Sequence, residues 1–173
     1  MRKKLVLLLV VTLSCTSLFA QKDVFDISRS GTVEELEQLY KETPEIINTK
    51  NEVGYTPLVL ACYSGNEAVV SFLVDKVDNI DGTSTYGTPL MAAVFKGYLK
   101  IVSILLKYGA NPNMADDKGT TAAHYAVMLK NYNMVEQLVR AKANFDLKDN
   151  ADKSALDYAK SFNDEKLNKI LQL

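Results

Sequence analysis

Thr56-Pro57-Leu58-Val59-Leu60-Ala61-Cys62-Tyr63-Ser64-Gly65 decides the fold, because its Thr-Pro-Leu, alanine and glycine return 32 residues later as Thr88-Pro89-Leu90, Ala93 and Gly97. Partial copies follow at two further steps of 33 residues, Thr121-Ala122-Ala123 with Ala126 and Ser154-Ala155-Leu156 with Ala159. A fixed period of this length marks a solenoid, in which one supersecondary unit is stacked several times. Stacked units build an extended surface, and a surface points to a partner rather than to a reaction.

Residues 83–115 show how one unit works. Thr88 stands where a helix N-cap belongs, and Pro89 follows at the first helical position, where its missing N–H costs nothing. Leu90, Ala93 and Val94 share one face at helical spacing. Gly97 closes this short helix and permits a tight reversal. The pattern predicts a second helix from about Tyr98 to Lys107, with Ile101, Val102, Leu105 and Leu106 as its apolar stripe. Gly109 ends it, and Ala110-Asn111-Pro112-Asn113 supplies turn residues before the next unit. Neither helix is long enough to be stable alone in water, so neighbouring units must cover both.

The other units fill the same template. Second helices carry Val69, Val70, Phe72, Leu73 and Val74, then Met134, Val135, Leu138 and Val139, and finally Leu167, Ile170 and Leu171. A worn copy precedes them, with Val24 and Ile27 in the Leu and Ala places, Gly31 at the reversal, and Val33, Leu36, Leu39 and Tyr40 on the second helix. The expected architecture is all-α, with units at about 22–50, 51–82, 83–115, 116–148 and 149–173.

The period and the Thr-Pro-Leu-x-x-Ala-x-x-x-Gly string resemble ankyrin repeats over residues 22–173. The resemblance implies a solenoid of about five stacked helix-turn-helix units joined by β-hairpin loops. The family usually has histidine after Thr-Pro-Leu; only His124 keeps it here, while Val59, Met91 and Asp157 replace it elsewhere. By the same resemblance, His124 would bond Thr121 and neighbouring backbone, a structural role. Ser154 and Asp157 stand three apart at a helix start, close to a capping box with Asp in place of Glu. The last unit ends in its second helix, whose Asp164, Glu165, Lys166, Asn168 and Lys169 offer the wettable outer face of a terminal cap.

Residues 1–20 read separately. Arg2, Lys3 and Lys4 are followed by an apolar run from Leu5 to Leu13 and by small residues up to Ala20, the order of a secretory signal peptide. The run falls well short of the roughly 20 residues that span a bilayer. The alternative is a lipoprotein acylated on Cys15, for which Thr12 is a poor upstream residue. Removing 1–20 leaves 17 basic against 21 acidic side chains and a net charge of −4. That balance, with no Lys/Arg cluster, carries no nucleic-acid footprint and no general attraction to anionic membrane. The expected location is periplasmic or secreted, or lipid-anchored through Cys15, with no membrane insertion once the signal is removed. Only Cys62 would remain, a small core hydrophobe in its helix rather than half of an intrachain disulfide.

Nothing in the chain calls for catalysis. No nucleophile elbow or cysteine-protease string surrounds His124, a serine or Cys62. Asp116, Asp117, Asp146, Asp149 and Asp152 recur at unit junctions but lack the spacing of a calcium loop and read as solvated turns. No phosphate loop or metal-ligand cluster is present, so neither a cofactor nor a metal is expected.

In ankyrin stacks partners are held by the hairpin tips and the exposed side of the first helices. Carried over, those positions are Tyr55, Tyr63, Ser64, Gly87, Phe95, Lys96, Thr120, Met128, Leu129, Lys153, Ser161 and Phe162. Tyr55, Tyr63, Phe95, Lys96, Met128, Leu129 and Phe162 are the expected partner-binding residues, since aromatics and Met anchor protein interfaces. The bland alternative is that several of them pack against the next unit instead. The resulting expectation is a monomeric, exported module that binds, and protects or inhibits, another protein. An immunity-type antidote to a toxin is the second reading, and a hydrolase with a groove site the third.

Overall fold

A unit whose first helix is opened by Thr or Ser and closed by a left-handed residue folds back on itself, and four such units follow a first one opened by Asp23 and closed by an extended Gly31. The computed structural model describes residues 23–84 and 87–173. The signal reading of residues 1–20, and Cys15 with it, lies outside the described residues. In chain order the helices are α1 Val24–Ser30, α2 Val33–Glu42, α3 Pro57–Ser64, α4 Glu67–Leu73, α5 Pro89–Lys96, α6 Leu99–Lys107, α7 Ala122–Met128, α8 Tyr132–Arg140, α9 Ala155–Phe162 and α10 Glu165–Leu171. A 3₁₀ turn, Pro44–Asn48, follows α2.

The odd-numbered helices pack side by side in one layer and the even-numbered helices in the other. Each pair contributes to a single apolar core that runs from Val24 and Ile27 through Leu58, Leu90 and Ala123 to Leu167. None of these helices exceeds ten residues, so each depends on its neighbours for burial rather than on its own propensity. The architecture is thus the all-α, five-pair solenoid that the repeat period implies.

Local signals act where they stand. Thr56 Oγ1 accepts from Val59 N–H and Thr88 Oγ1 from Met91 N–H, with proline at the first helical position of both α3 and α5. Gly65 and Gly97 share φ +78°, the left-handed turn that a side chain resists. Gly31 differs: its φ is −87°, ordinary extended backbone. Glycine is needed there for space, because a Cβ would lie 2.7 Å from the Ile27 Cα.

The hairpins are shorter than strands. Among the described residues the junctions narrow to single antiparallel bridges, Ser84 with Gly87, Ala115 with Thr121 and Lys148 with Ser154. Side chains close the tips in place of a ladder. Asn51 Oδ1 accepts from Val53 and Tyr55 N–H, Asp116 Oδ1 from Lys118 and Thr120, and Asp149 Oδ1 from Ala151 and Lys153. These are Asx turns, so Asp116 and Asp149 are occupied in holding loop backbone.

Loops also bond across repeats. Asn48 Oδ1 accepts from Asp78 N–H at 3.0 Å, Asp81 from Asn111 N–H at 3.0 Å, and Asn113 Oδ1 from Asn144 N–H at 2.7 Å. One polar residue per junction thereby sets the spacing of the next.

Candidate functional site

The third position of each first helix separates structure from surface. His124 occupies it in the fourth repeat and is fully buried. Its Nε2 lies 3.0 Å from the Lys153 carbonyl oxygen. A carbonyl only accepts, so the proton sits on Nε2, and Nδ1 accepts from the Thr121 N–H at 3.1 Å and the Thr121 hydroxyl at 2.9 Å. Both nitrogens are engaged, which gives His124 the structural role expected of it and one contact more, a tie to the following hairpin. Asp157 does the local half of this in the fifth repeat, accepting from Ser154 N–H and Oγ. Those bonds, the backbone N–H first, hold its carboxyl below the usual carboxylate range.

Cys62 is buried and free, and burial pushes its thiol well above the ordinary range, the opposite of what a nucleophile needs. Among the described residues no cluster of three or more His, Cys, Asp or Glu is placed to hold a metal ion.

Concave space forms elsewhere, on the exposed side of α3, α5 and α7. A groove of about 660 Å³ is lined by Tyr55, Leu60, Tyr63, Ala92, Phe95 and Tyr125, with Val59, Ser64, Met91 and Arg29 completing it. Tyr63 and Phe95 are each 49% exposed, so half of either ring remains available to a ligand. Phe95 also meets Tyr125 edge to face at 5.8 Å, so it both braces the next repeat and presents a surface. Tyr125 donates from its hydroxyl to Asp116 Oδ2 at 2.8 Å. Burial first, and that bond second, push its phenol up to about 12, so the ring stays a neutral donor. Lys96 sets its ammonium 4.9 Å from the centre of the Tyr63 ring.

Of the seven residues expected to bind a partner, Tyr55, Tyr63 and Phe95 converge on this groove, and Lys96 stands over its Tyr63 wall. Met128 and Leu129 are exposed at the end of α7, outside the lining. Phe162 is half-buried in the last repeat, with the Lys130 ammonium 5.1 Å from its ring centre. The sequence reading missed Arg29, Val59, Leu60, Met91, Ala92 and Tyr125 as groove residues. Arg29 had a findable signal, since counting from Gly31 to Gly65 puts it in register with Tyr63.

A family model described as ankyrin repeats (3 copies) matches residues 25–116 and 108–172. Over 133 residues the chain is 32% identical to the mouse (Mus musculus) "Ankyrin repeat and SAM domain-containing protein 6", covering 76% of this chain and 15% of that one. It is 28% identical over 129 residues to the zebrafish (Danio rerio) "Putative palmitoyltransferase ZDHHC13", covering 73% of this chain and 20% of the relative. Over 96 residues it is 34% identical to the human (Homo sapiens) "Ankyrin repeat and KH domain-containing protein 1", covering 54% and 4%. The chain thus spans a fifth or less of the length of these relatives.

Proposed function

This chain belongs to the ankyrin-repeat family, and from that premise we propose that it is an exported module that grips a partner protein in the α3–α5–α7 groove and thereby shields or inhibits it. The observation that carries this reading is the groove itself: two half-exposed aromatic rings face an open apolar hollow on the side where such stacks hold partners. Aromatic anchors of this kind supply most of the energy of protein interfaces. The basic, apolar, small order of residues 1–20 supports export. Among the described residues no helix is long and apolar enough to cross a membrane.

Quantitative affinity capture from an envelope fraction tests the face. The wild-type chain is expected to retain a specific partner that Tyr63→Ala/Phe95→Ala loses about tenfold, as removal of two interface anchors should; equal recovery by both counts against this groove. Intact mass of the native protein tests export. A chain starting at Gln21 supports the signal reading, an acylated start at Cys15 replaces it with a lipid anchor, and an uncut chain removes it. Light scattering of the purified protein is expected to give a monomer.

A further inference from the structure

Along the groove the first-helix column that runs through Leu60 carries its smallest side chain at the middle repeat. Positions one period apart form columns along the first helices. The column through Leu60 continues as Ala92 and then Tyr125, and the column through Tyr55 continues as Gly87 and then Thr120. Along the first column the third repeat thus offers a methyl where its neighbours offer Leu and Tyr, and at Gly87 the space is taken by the Met91 side chain. Ala92 forms the floor, only 9% exposed, between walls of Tyr63, Phe95 and Tyr125. Ring-lined hollows of this shape favour another ring, through offset or edge-on packing. The volume lies within the range of ordinary ligand sites.

The carboxylates nearest the hollow are engaged, Asp26 by Arg29 and Asp116 by the Tyr125 hydroxyl, while the charge at its lip is cationic. Arg29 is the charged residue among those lining it, and Lys96 stands over the Tyr63 wall. Asp26 takes one guanidinium N–H at 3.0 Å, but the pair is solvent-exposed and leaves Arg29 further donors. Lys96 holds its ammonium over the Tyr63 ring. A cationic lip on an apolar hollow, in a chain with 21 acidic and 20 basic residues, selects by local field rather than by net charge.

We infer that the α3–α5–α7 hollow is a socket for one large apolar side chain, aromatic by preference, carried on an acidic segment of the partner protein. The ring enters over Ala92, and carboxylates beside it meet Arg29 on one lip and Lys96 on the other. This deepens the groove reading above and rests on it.

Ala92→Tyr plugs the socket with the residue that the next repeat itself carries at that place; Ala92→Leu, after Leu60, serves should the tyrosine not fold. A random peptide library displayed on phage is panned on the purified chain, and enriched peptides are measured by fluorescence polarisation. Enrichment of Phe, Trp or Leu with Asp or Glu beside it is expected. Affinity should fall about tenfold on plugging, roughly threefold on Lys96→Glu or Arg29→Glu, and further with added salt. Peptides that need Tyr63 and Phe95 but carry basic or uncharged flanks overturn the acidic partner and leave the groove reading standing. Peptides indifferent to both the plug and Tyr63→Ala/Phe95→Ala sink the groove reading itself. A library that yields no binder counts against the socket.

Discussion

In the second and third repeats the first helix opens with Thr-Pro-Leu and closes on glycine at φ +78°; in the fourth and fifth, alanine follows Thr121 and Ser154, and the reversal falls on Lys130 at φ 50° and Asn163 at φ 47°. The second helices repeat the contrast, with Gly109 at φ +91° after α6 and Lys142 at φ 57° after α8. A side chain in the left-handed region costs roughly 1–2 kcal/mol, and the later repeats accept that cost several times. They carry compensating bonds of their own. His124 ties Thr121 to the Lys153 carbonyl, where Met91 offers its neighbour only a sulfur at 3.4 Å from Thr88 N. Tyr125 and Tyr158 brace their own hairpins through Asp116 at 2.8 Å and Asp149 at 2.7 Å. Asn150 further donates from N–H and side chain to the Lys118 and Asp117 carbonyls of the preceding tip. One helix pair can therefore be specified by backbone predisposition or by a side-chain network, and this stack uses both in sequence.

The sharpest way to break that contrast is at the third helical position. His124→Leu keeps volume but leaves the buried Thr121 and Lys153 groups unpaired, for an expected loss of about 2–3 kcal/mol. Met91→Leu, a volume-conserving apolar swap at the equivalent place, should cost less than about 1.5 kcal/mol. Urea unfolding measures both, and equal losses would remove the distinction between the two halves.

Next come the hairpin braces. Tyr158→Phe deletes one bond to a carboxylate and should lower stability by less than His124→Leu does, because solvent screens this partly exposed pair. Its mark is local: faster hydrogen exchange at the Ala151 and Lys153 amides, with the Val53 and Tyr55 amides of the second repeat unchanged.

A smaller gain is expected from making the later repeats resemble the earlier ones. Lys142→Gly relieves left-handed strain but loosens the unfolded chain, a net stabilisation of about 0.5–1 kcal/mol. The mirror change, Gly97→Ala, meets no atom closer than 3.5 Å, so its cost is conformational alone. Thermal melts that move both variants the same way contradict the strain account.

The weakest effect is with pH. The Tyr158 hydroxyl, chiefly, holds the Asp149 carboxyl below its ordinary range, and the Leu167 N–H, chiefly, does the same for Asp164. With folded values below unfolded ones, these groups and Asp157 stabilise the fold above the unfolded carboxylate range, and that contribution drains away as pH falls through the folded values. Asp81, between the second and third repeats, is shifted upward by burial, so its contribution has the opposite sign and is lost as pH rises. Asp75 is also lowered, by an exposed bond to its neighbour Lys76 that the unfolded chain can form as well. Mild acid should therefore loosen the fifth repeat before the second, as residue-resolved exchange would reveal; uniform loosening would contradict it.

The repeat motif made the first helices legible, and with them Thr88 as a cap, His124 as a structural residue and Tyr63 and Phe95 as exposed rings. Legibility stopped where a residue's role depends on the next repeat. Tyr125 stands one place after His124, yet it lines the groove because Ala92 ahead of it is small. Met128 and Leu129 belong to the same columns as Phe95 and Lys96 but lie outside the hollow. Arg29 was missed because the first repeat lacks the Thr-Pro-Leu string that sets the register.

Period, caps and apolar stripes are local properties, and the chain by itself determined that short helices would pair and stack, since none could be stable without a neighbour. Which exposed rings would share a hollow, and which cations would stand at its lip, only the tertiary structure decided. A groove is a difference in side-chain size between adjacent repeats, brought side by side by packing, and no single repeat contains that difference.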